Sequence, residues 1–270
     1  MRLDGVVCVL TGSTGGIGRP LAHCLAGEGV NLILTARDAD RLNGLAAELP
    51  SGSVVETFAG DLVRCDVQQE LAHRARRSGA RILINLSGGN QFGMLATQTA
   101  DAVDDLLTTN LVAPIQLTRL LLPHLQSRGE AMVVNVGSTF GAIGFPGYSL
   151  YCASKFGLRG FSEALARELS DSTVRVIYVA PRATRTSMNS FAASAMNVAL
   201  RNTVDPPEQV ATRIVESMRK EQRRTGIGWP ERGFARLNQL VPSLVDRAIA
   251  RQLRTIKSYA SSPDPEECKP

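Results

Sequence analysis

The chain has 270 residues, of which 44% are hydrophobic, a mean hydropathy of −0.02 and a formal net charge of +5. That size and apolar content suit a globule with a substantial core, and no apolar run reaches the ~20 residues of a membrane-spanning helix. Five cysteines (Cys8, Cys24, Cys65, Cys152 and Cys268) without paired spacing, and three scattered histidines, argue against a disulfide framework and a metal site, so a reducing cytoplasm is the simplest compartment.

Met1 to Leu10 is too short and too soon interrupted for a signal peptide, and reads as the approach to a buried strand, Val6 to Thr11. A helix follows over Ile17 to Gly27, then a strand over Asn31 to Thr35 and a helix through Arg41 to Leu49. Val54 to Ala59 reads as a third strand, Val67 to Arg77 as a helix, Ile82 to Leu86 as a fourth strand and Ala102 to Leu125 as one long helix. Val133 to Val136, a helix over Tyr151 to Leu169, and Val174 to Val179 complete the alternation. The strands are apolar throughout, the mark of burial on both faces, so the units predict a doubly wound parallel α/β sheet in a single domain over residues 1–260.

Beyond Pro181 the pattern changes. Small and polar residues from Arg182 to Thr203 suggest a mobile segment, Asp205-Pro206-Pro207-Glu208 a helix start, and the Pro-rich tail from Ser261 disorder. Residues 187–257 are expected to form a substrate loop and a helical extension. There Phe234, Leu237, Leu240 and Val241 make one apolar stripe. Pro242 opens another with Leu244, Val245, Ala248, Ile249, Leu253 and Ile256, opposite Arg247, Arg251, Arg254 and Lys257. Eleven Lys or Arg against four acids between Arg213 and Lys257 concentrate the positive charge in this region. Packing on the body, on a second copy or on an anionic membrane all fit such a helix. Nucleic acid is not indicated, since no basic-aromatic module accompanies the charge.

Thr11-Gly12-Ser13-Thr14-Gly15-Gly16-Ile17-Gly18 joins the first strand to the first helix. Glycines let the backbone turn tightly there, and the helix start offers N–H groups and positive dipole to a pyrophosphate. Tyr151 and Lys155 lie one helical turn apart, so they face the same way, and an ammonium beside a phenol lowers its pKa from the usual ~10. Ser138, shortly before them, is placed to hold a substrate oxygen as its charge changes.

In order and spacing these residues resemble the short-chain dehydrogenase/reductase family over roughly the first 190 positions. The resemblance implies a Rossmann-like fold and hydride transfer between a nicotinamide and a carbonyl or alcohol carbon, with Asn110, Ser138, Tyr151 and Lys155 as the catalytic set. Asn110 matches the asparagine that fixes a water in the proton relay, and Lys155 also binds the nicotinamide ribose. Gly12, Ser13, Thr14, Gly16, Ile17 and Gly18 would line the phosphates. Asp61 and Leu62 would meet the adenine, Asn85, Ser87 and Gly88 stand for the family's Asn-Asn-Ala-Gly, and Pro181 and Thr186 for its carboxamide-holding turn. Leu86, Ser87 and Arg182 depart from the family pattern. Arg37 follows the second strand where an NAD-preferring member carries an acid nearby, so NADP(H) is expected, with NAD(H) the alternative.

Phe92, Met94, Phe140 and Phe145 suggest an apolar pocket. Arg182 and Arg185 read either as an attraction for an anionic, carboxylate- or phosphate-bearing substrate or as solvent-exposed charges, and an acyl-linked substrate would go with the membrane option. A homodimer or homotetramer in the cytoplasm, with or without peripheral membrane contact, is the expected state. A non-catalytic dinucleotide sensor or membrane-associated regulator on the same fold is the alternative.

Overall fold

The computed structural model describes residues 1–229 and 231–261. Strands β1 (Val7–Thr11), β2 (Asn31–Ala36), β3 (Val54–Ala59), β4 (Ile82–Asn85), β5 (Ala131–Val136), β6 (Val174–Ala180) and β7 (Arg224–Gly226) form one parallel sheet in the order β3-β2-β1-β4-β5-β6-β7. The order reverses between β1 and β4, and a ligand crevice opens beyond the strand ends at such a switch point.

Alternate strand residues face opposite sides of the sheet, which is why these strands carry no polar stripe. Leu10, Leu34, Ile84 and Val134 pack on one face beneath helices α1 (Gly18–Gly27), α2 (Ala39–Glu48) and, later in the chain, α8 (Pro207–Arg219). Val9, Ile33, Leu83 and Val133 pack on the other beneath α3 (Cys65–Arg77), α5 (Ala113–Ser127) and α6 (Ser149–Glu168).

The long helix expected over Ala102 to Leu125 is two: α4 (Ala100–Leu107) and α5 are joined by a π-helical turn, Thr108–Val112. The segment expected to be mobile contains an ordered helix, α7 (Phe191–Ala199). Four of its nine residues are alanine, Ser190 caps it by accepting from the Ala193 N–H at 3.2 Å, and Ala193 and Met196 are buried. Small residues signal a helix as readily as a loop when a cap precedes them.

The extension consists of α9 (Glu231–Leu240) and α10 (Pro242–Ala260), which begins at the expected proline. With α7 it closes a third core, in which Ile256 and Met196 meet Tyr148 and Cys152. Asn238 ties α9 to the body by donating to the Ala142 carbonyl at 3.0 Å. The tail expected to be disordered lies, past Ser261, outside the described residues. No described helix is long and apolar enough to cross a membrane.

Candidate active site

Thr11 ends β1 with a buried hydroxyl that knits the switch point together. Its Oγ1 donates to the Ile84 carbonyl (3.2 Å) and accepts from the N–H groups of Leu86 (2.9 Å) and Ser87 (3.0 Å). The glycine loop is then fixed by close approach. Gly12 sits at φ +66°, and a Cβ there would lie 2.9 Å from the Ser87 Cα; one on Gly16 would lie 2.5 Å from Thr186 Cγ2; one on Gly18 would strike the Gly12 carbonyl. No side chain caps the start of α1, so its backbone donors and dipole are directed at the cleft.

The cleft measures about 1190 Å³ and runs from Arg37, Asp61 and Leu62, past the glycine loop and Asn85, Ser87 and Gly88, to Ser138, Tyr151, Lys155, Pro181 and Thr186. Two of the residues expected to be catalytic or cofactor-binding are not among those lining it. Ser13 points away, its hydroxyl donating to the Thr35 carbonyl at 3.2 Å in the sheet core. Asn110 is fully buried, held off the cleft by the π turn. Its Oδ1 accepts from the Gly89 N–H (2.7 Å), while Nδ2 donates to the Gly89 carbonyl (3.0 Å) and Ser154 Oγ (3.1 Å). That side chain splints the strand-end loop, leaving only the Asn110 main chain for a relay.

Asn85 also works from beneath. Its Nδ2 donates to Thr118 Oγ1 (3.1 Å) and Asn135 Oδ1 (2.8 Å), and Asn135 donates on to Ser162 (2.8 Å), a buried polar chain joining β4 and β5 to α5 and α6. Tyr178 plays the same part under Ser138, its hydroxyl lying 3.4 Å from both the Ser138 N–H and the Ser138 carbonyl. A Cβ on Gly137 or Gly141 would collide with that hydroxyl, so both glycines are needed for Tyr178 to fit. Asn135 and Tyr178 escape motif reading, and Thr11, though it opens the glycine motif, carries no role there. A trace was present for two of them: each is a lone polar group in a strand otherwise apolar on both faces.

Ser138, Tyr151 and Lys155 converge at one end of the cleft. Ser138 Oγ accepts from the Phe140 N–H at 3.1 Å and faces the Tyr151 phenol. The buried Lys155 Nζ donates to the Val136 carbonyl at 3.3 Å and lies 5.7 Å from the centre of the Tyr151 ring. Removal from water dominates both titrations: it pushes the Tyr151 phenol up to about 12, against the influence of Ser138, which favours the phenolate, and brings Lys155 down to about 8. The expected lowering of Tyr151 by Lys155 does not prevail in this structure. Burial outweighs it, and the amine is engaged with Val136.

Phe140, Phe145 and Tyr148 form the apolar wall and Phe92 packs behind Tyr148, with ring centroids of neighbouring pairs 4.9 to 5.1 Å apart. Neither Phe92 nor Met94, both expected at the pocket, lines the cleft. Burial also raises the Tyr148 phenol, to about 12. From the other side, Phe234 of α9 and Val245, Ala248 and Ile249 of α10 line the cleft. Arg182 lines the cleft with its charge met on the protein, and Arg185, expected beside it, is not among the lining residues. Arg182 makes a two-pronged ion pair with Asp205 (2.7 and 3.0 Å) and also donates to the Trp229 carbonyl at 3.3 Å, pinning the segment between α7 and β6.

A family model described as short chain dehydrogenase matches residues 6–197. Nodulation protein G of Rhizobium sp. (strain N33) is 35% identical over 182 residues, covering 67% of this chain and 74% of its own. The 3-oxoacyl-[acyl-carrier-protein] reductase of Homo sapiens is 35% identical over 185 residues, covering 67% and 77%. Among solved structures, a short-chain dehydrogenase from Sphingobium yanoikuyae in complex with NADPH superposes with a TM-score of 0.78 at 30% identity, covering 89% of this chain and 95% of that one. A family model over most of the chain, relatives at 35% identity and a shared parallel sheet agree: the chain belongs to the short-chain dehydrogenase/reductase family.

Proposed function

We propose that the protein is an NADP(H)-dependent oxidoreductase acting on a carbonyl or alcohol carbon, with Tyr151 exchanging the proton of the substrate oxygen. The observation that carries this reading is the convergence of Ser138, Tyr151 and Lys155 on a cleft whose other end is a cradle that three glycine Cβ atoms would fill. The cradle and the uncapped start of α1 fit a pyrophosphate, and the NADPH-bound relative and the human reductase support the same assignment.

A bound nicotinamide would supply or accept the hydride. Ser138 holds the substrate oxygen beside the Tyr151 hydroxyl. A phenol kept protonated to about 12 is a ready donor to the alkoxide formed in carbonyl reduction. Lys155, near 8, is the neighbouring group able to return a proton at neutral pH, with the Asn110 main chain the proposed water site between them and solvent. The wall of Phe140, Phe145 and Tyr148 favours a substrate with an apolar body.

Arg37 carries the NADP preference. It lines the cleft with Arg41, whose Nη2 donates to the Thr14 carbonyl at 3.0 Å and so stands over the glycine loop. The nearby acid, Asp38, is occupied as the cap of α2, accepting from the Arg41 N–H at 3.0 Å. Tyr151→Phe tests the chemistry: NADPH oxidation with a panel of aldehydes, ketones and β-ketoacyl thioesters should fall by about 10²–10⁴-fold with NADPH affinity nearly unchanged. Equal turnover by the variant would sink the role of Tyr151.

A further inference from the structure

Most of the exposed large hydrophobic side chains among the described residues lie around one end of the molecule. Met188, Phe191, Val198, Trp229, Phe234, Leu240, Val241 and Leu244 are eight of thirteen, with Trp229 at 78% and Leu240 at 80% exposure. They belong to α7, α9, α10 and the segments beside them, elements that also wall the cleft. Phe234 is exposed and lines the cleft at once.

Cations share this end. Leu244, Arg247 and Arg251 stand at i, i+3 and i+7 on one flank of α10, next to the cleft-lining Ala248 and Gln252. Arg236, Arg247, Arg251, Arg254 and Lys257 are exposed and form no ion pair among the described residues. The cations of α8 and β7 behave differently: Arg213, Arg219 and Arg224 are matched by Glu216, Glu28 and Glu163. On the body the charge is partly neutralised, Lys220 and Arg223 forming no ion pair among the described residues, whereas none of these exposed cations of the extension is paired. Between 231 and 260 six Lys or Arg stand against two acids.

We propose that this end of the molecule docks on an anionic lipid surface, with Trp229, Leu240 and Leu244 entering the interface and Arg247 and Arg251 meeting the headgroups. Apolar side chains with an aromatic anchor beside unpaired arginines have the chemistry of an interfacial helix. A second copy fits less well, because a two-fold contact through this patch sets arginines against arginines. On the oxidoreductase reading above, a cleft opening there admits a carbonyl or alcohol with a long apolar tail directly from the bilayer.

Flotation of the full chain reads the docking without any turnover, so its failure leaves the redox reading standing. Vesicles of phosphatidylcholine and phosphatidylglycerol in equal parts should carry the protein upward at low salt, and pure phosphatidylcholine should not. Arg247→Ala with Arg251→Ala should weaken binding roughly 25-fold, since each cation near an anionic surface contributes about a fivefold factor. Leu240→Ser with Leu244→Ser should weaken it as well, with melting temperature and NADPH binding retained. The proposal is overturned if anionic vesicles leave the protein behind, if neutral vesicles bind it equally, or if the leucine pair instead splits a dimer, which would assign the patch to a second copy.

Discussion

Lys155 sits where burial and charge oppose each other. The sequence spacing places it one turn from Tyr151, and that much is legible because helical geometry is local. Its protonation is not legible, because desolvation depends on β5 and the loops that close over the amine. A buried lysine lowered to about 8 destabilises the fold while both states are charged, by about 3 kcal/mol. The loss disappears as pH rises from about 8 towards the unfolded value near 10.5. Stability of the wild type relative to Lys155→Met should therefore increase with pH across that window, read by denaturant melts at successive pH values. A difference independent of pH would mean that the amine is solvated. At the far end of the cleft, Arg37→Ala should raise the dissociation constant of NADPH about 10–100-fold, as expected for charge-assisted hydrogen bonds, and leave that of NADH unchanged. Equal losses for both would remove Arg37 from 2′-phosphate recognition.

Among the elements, β1 to β6 and the helices that cover them were legible from apolar runs and helical periodicity, whereas the short β7, Arg-Thr-Gly with no apolar run, and the connections were not. The π turn at Thr108–Val112 leaves no sequence period of its own, yet it aims Asn110 at Gly89 instead of the cleft. Resemblance alone would make Asn110 a site residue by its position; the hydrogen bonds make its side chain a splint. Asn110→Ala leaves both polar groups of Gly89 and the Ser154 hydroxyl short of a partner, about 3 kcal/mol at roughly 1 kcal/mol per bond. For a chain of this size that is a fall in melting temperature of about 6–12 °C. Amide exchange should quicken at Gly89 while β2 and β3 stay protected; uniform loss of protection would contradict a local splint. Arg182 teaches the same lesson. Its departure from the family's glycine attracts a reading as a substrate cation, but its partner, Asp205, lies 23 positions on, and only the fold brings the two together.

At the level of the whole molecule, a ligand crevice opens at the switch point between β1 and β4, and the C-terminal extension supplies part of the wall of that cleft. The first followed from the alternation of strands and helices together with the glycine loop. The second was visible only as a charge imbalance and two apolar stripes, because which cations are paired and which stripe faces the cleft are decided by packing of α7, α9 and α10. Hydride transfer to carbon is the central claim, and isotope transfer tests it most directly. NADPH carrying deuterium at the transferable position is incubated with apolar ketones, aldehydes and β-ketoacyl thioesters, and the products are read by mass spectrometry. Deuterium should appear on the carbinol carbon with the wild-type protein and vanish with Tyr151→Phe, while both proteins bind NADPH. Tight NADPH binding with no deuterium on any product would contradict the account and leave a dinucleotide sensor in its place.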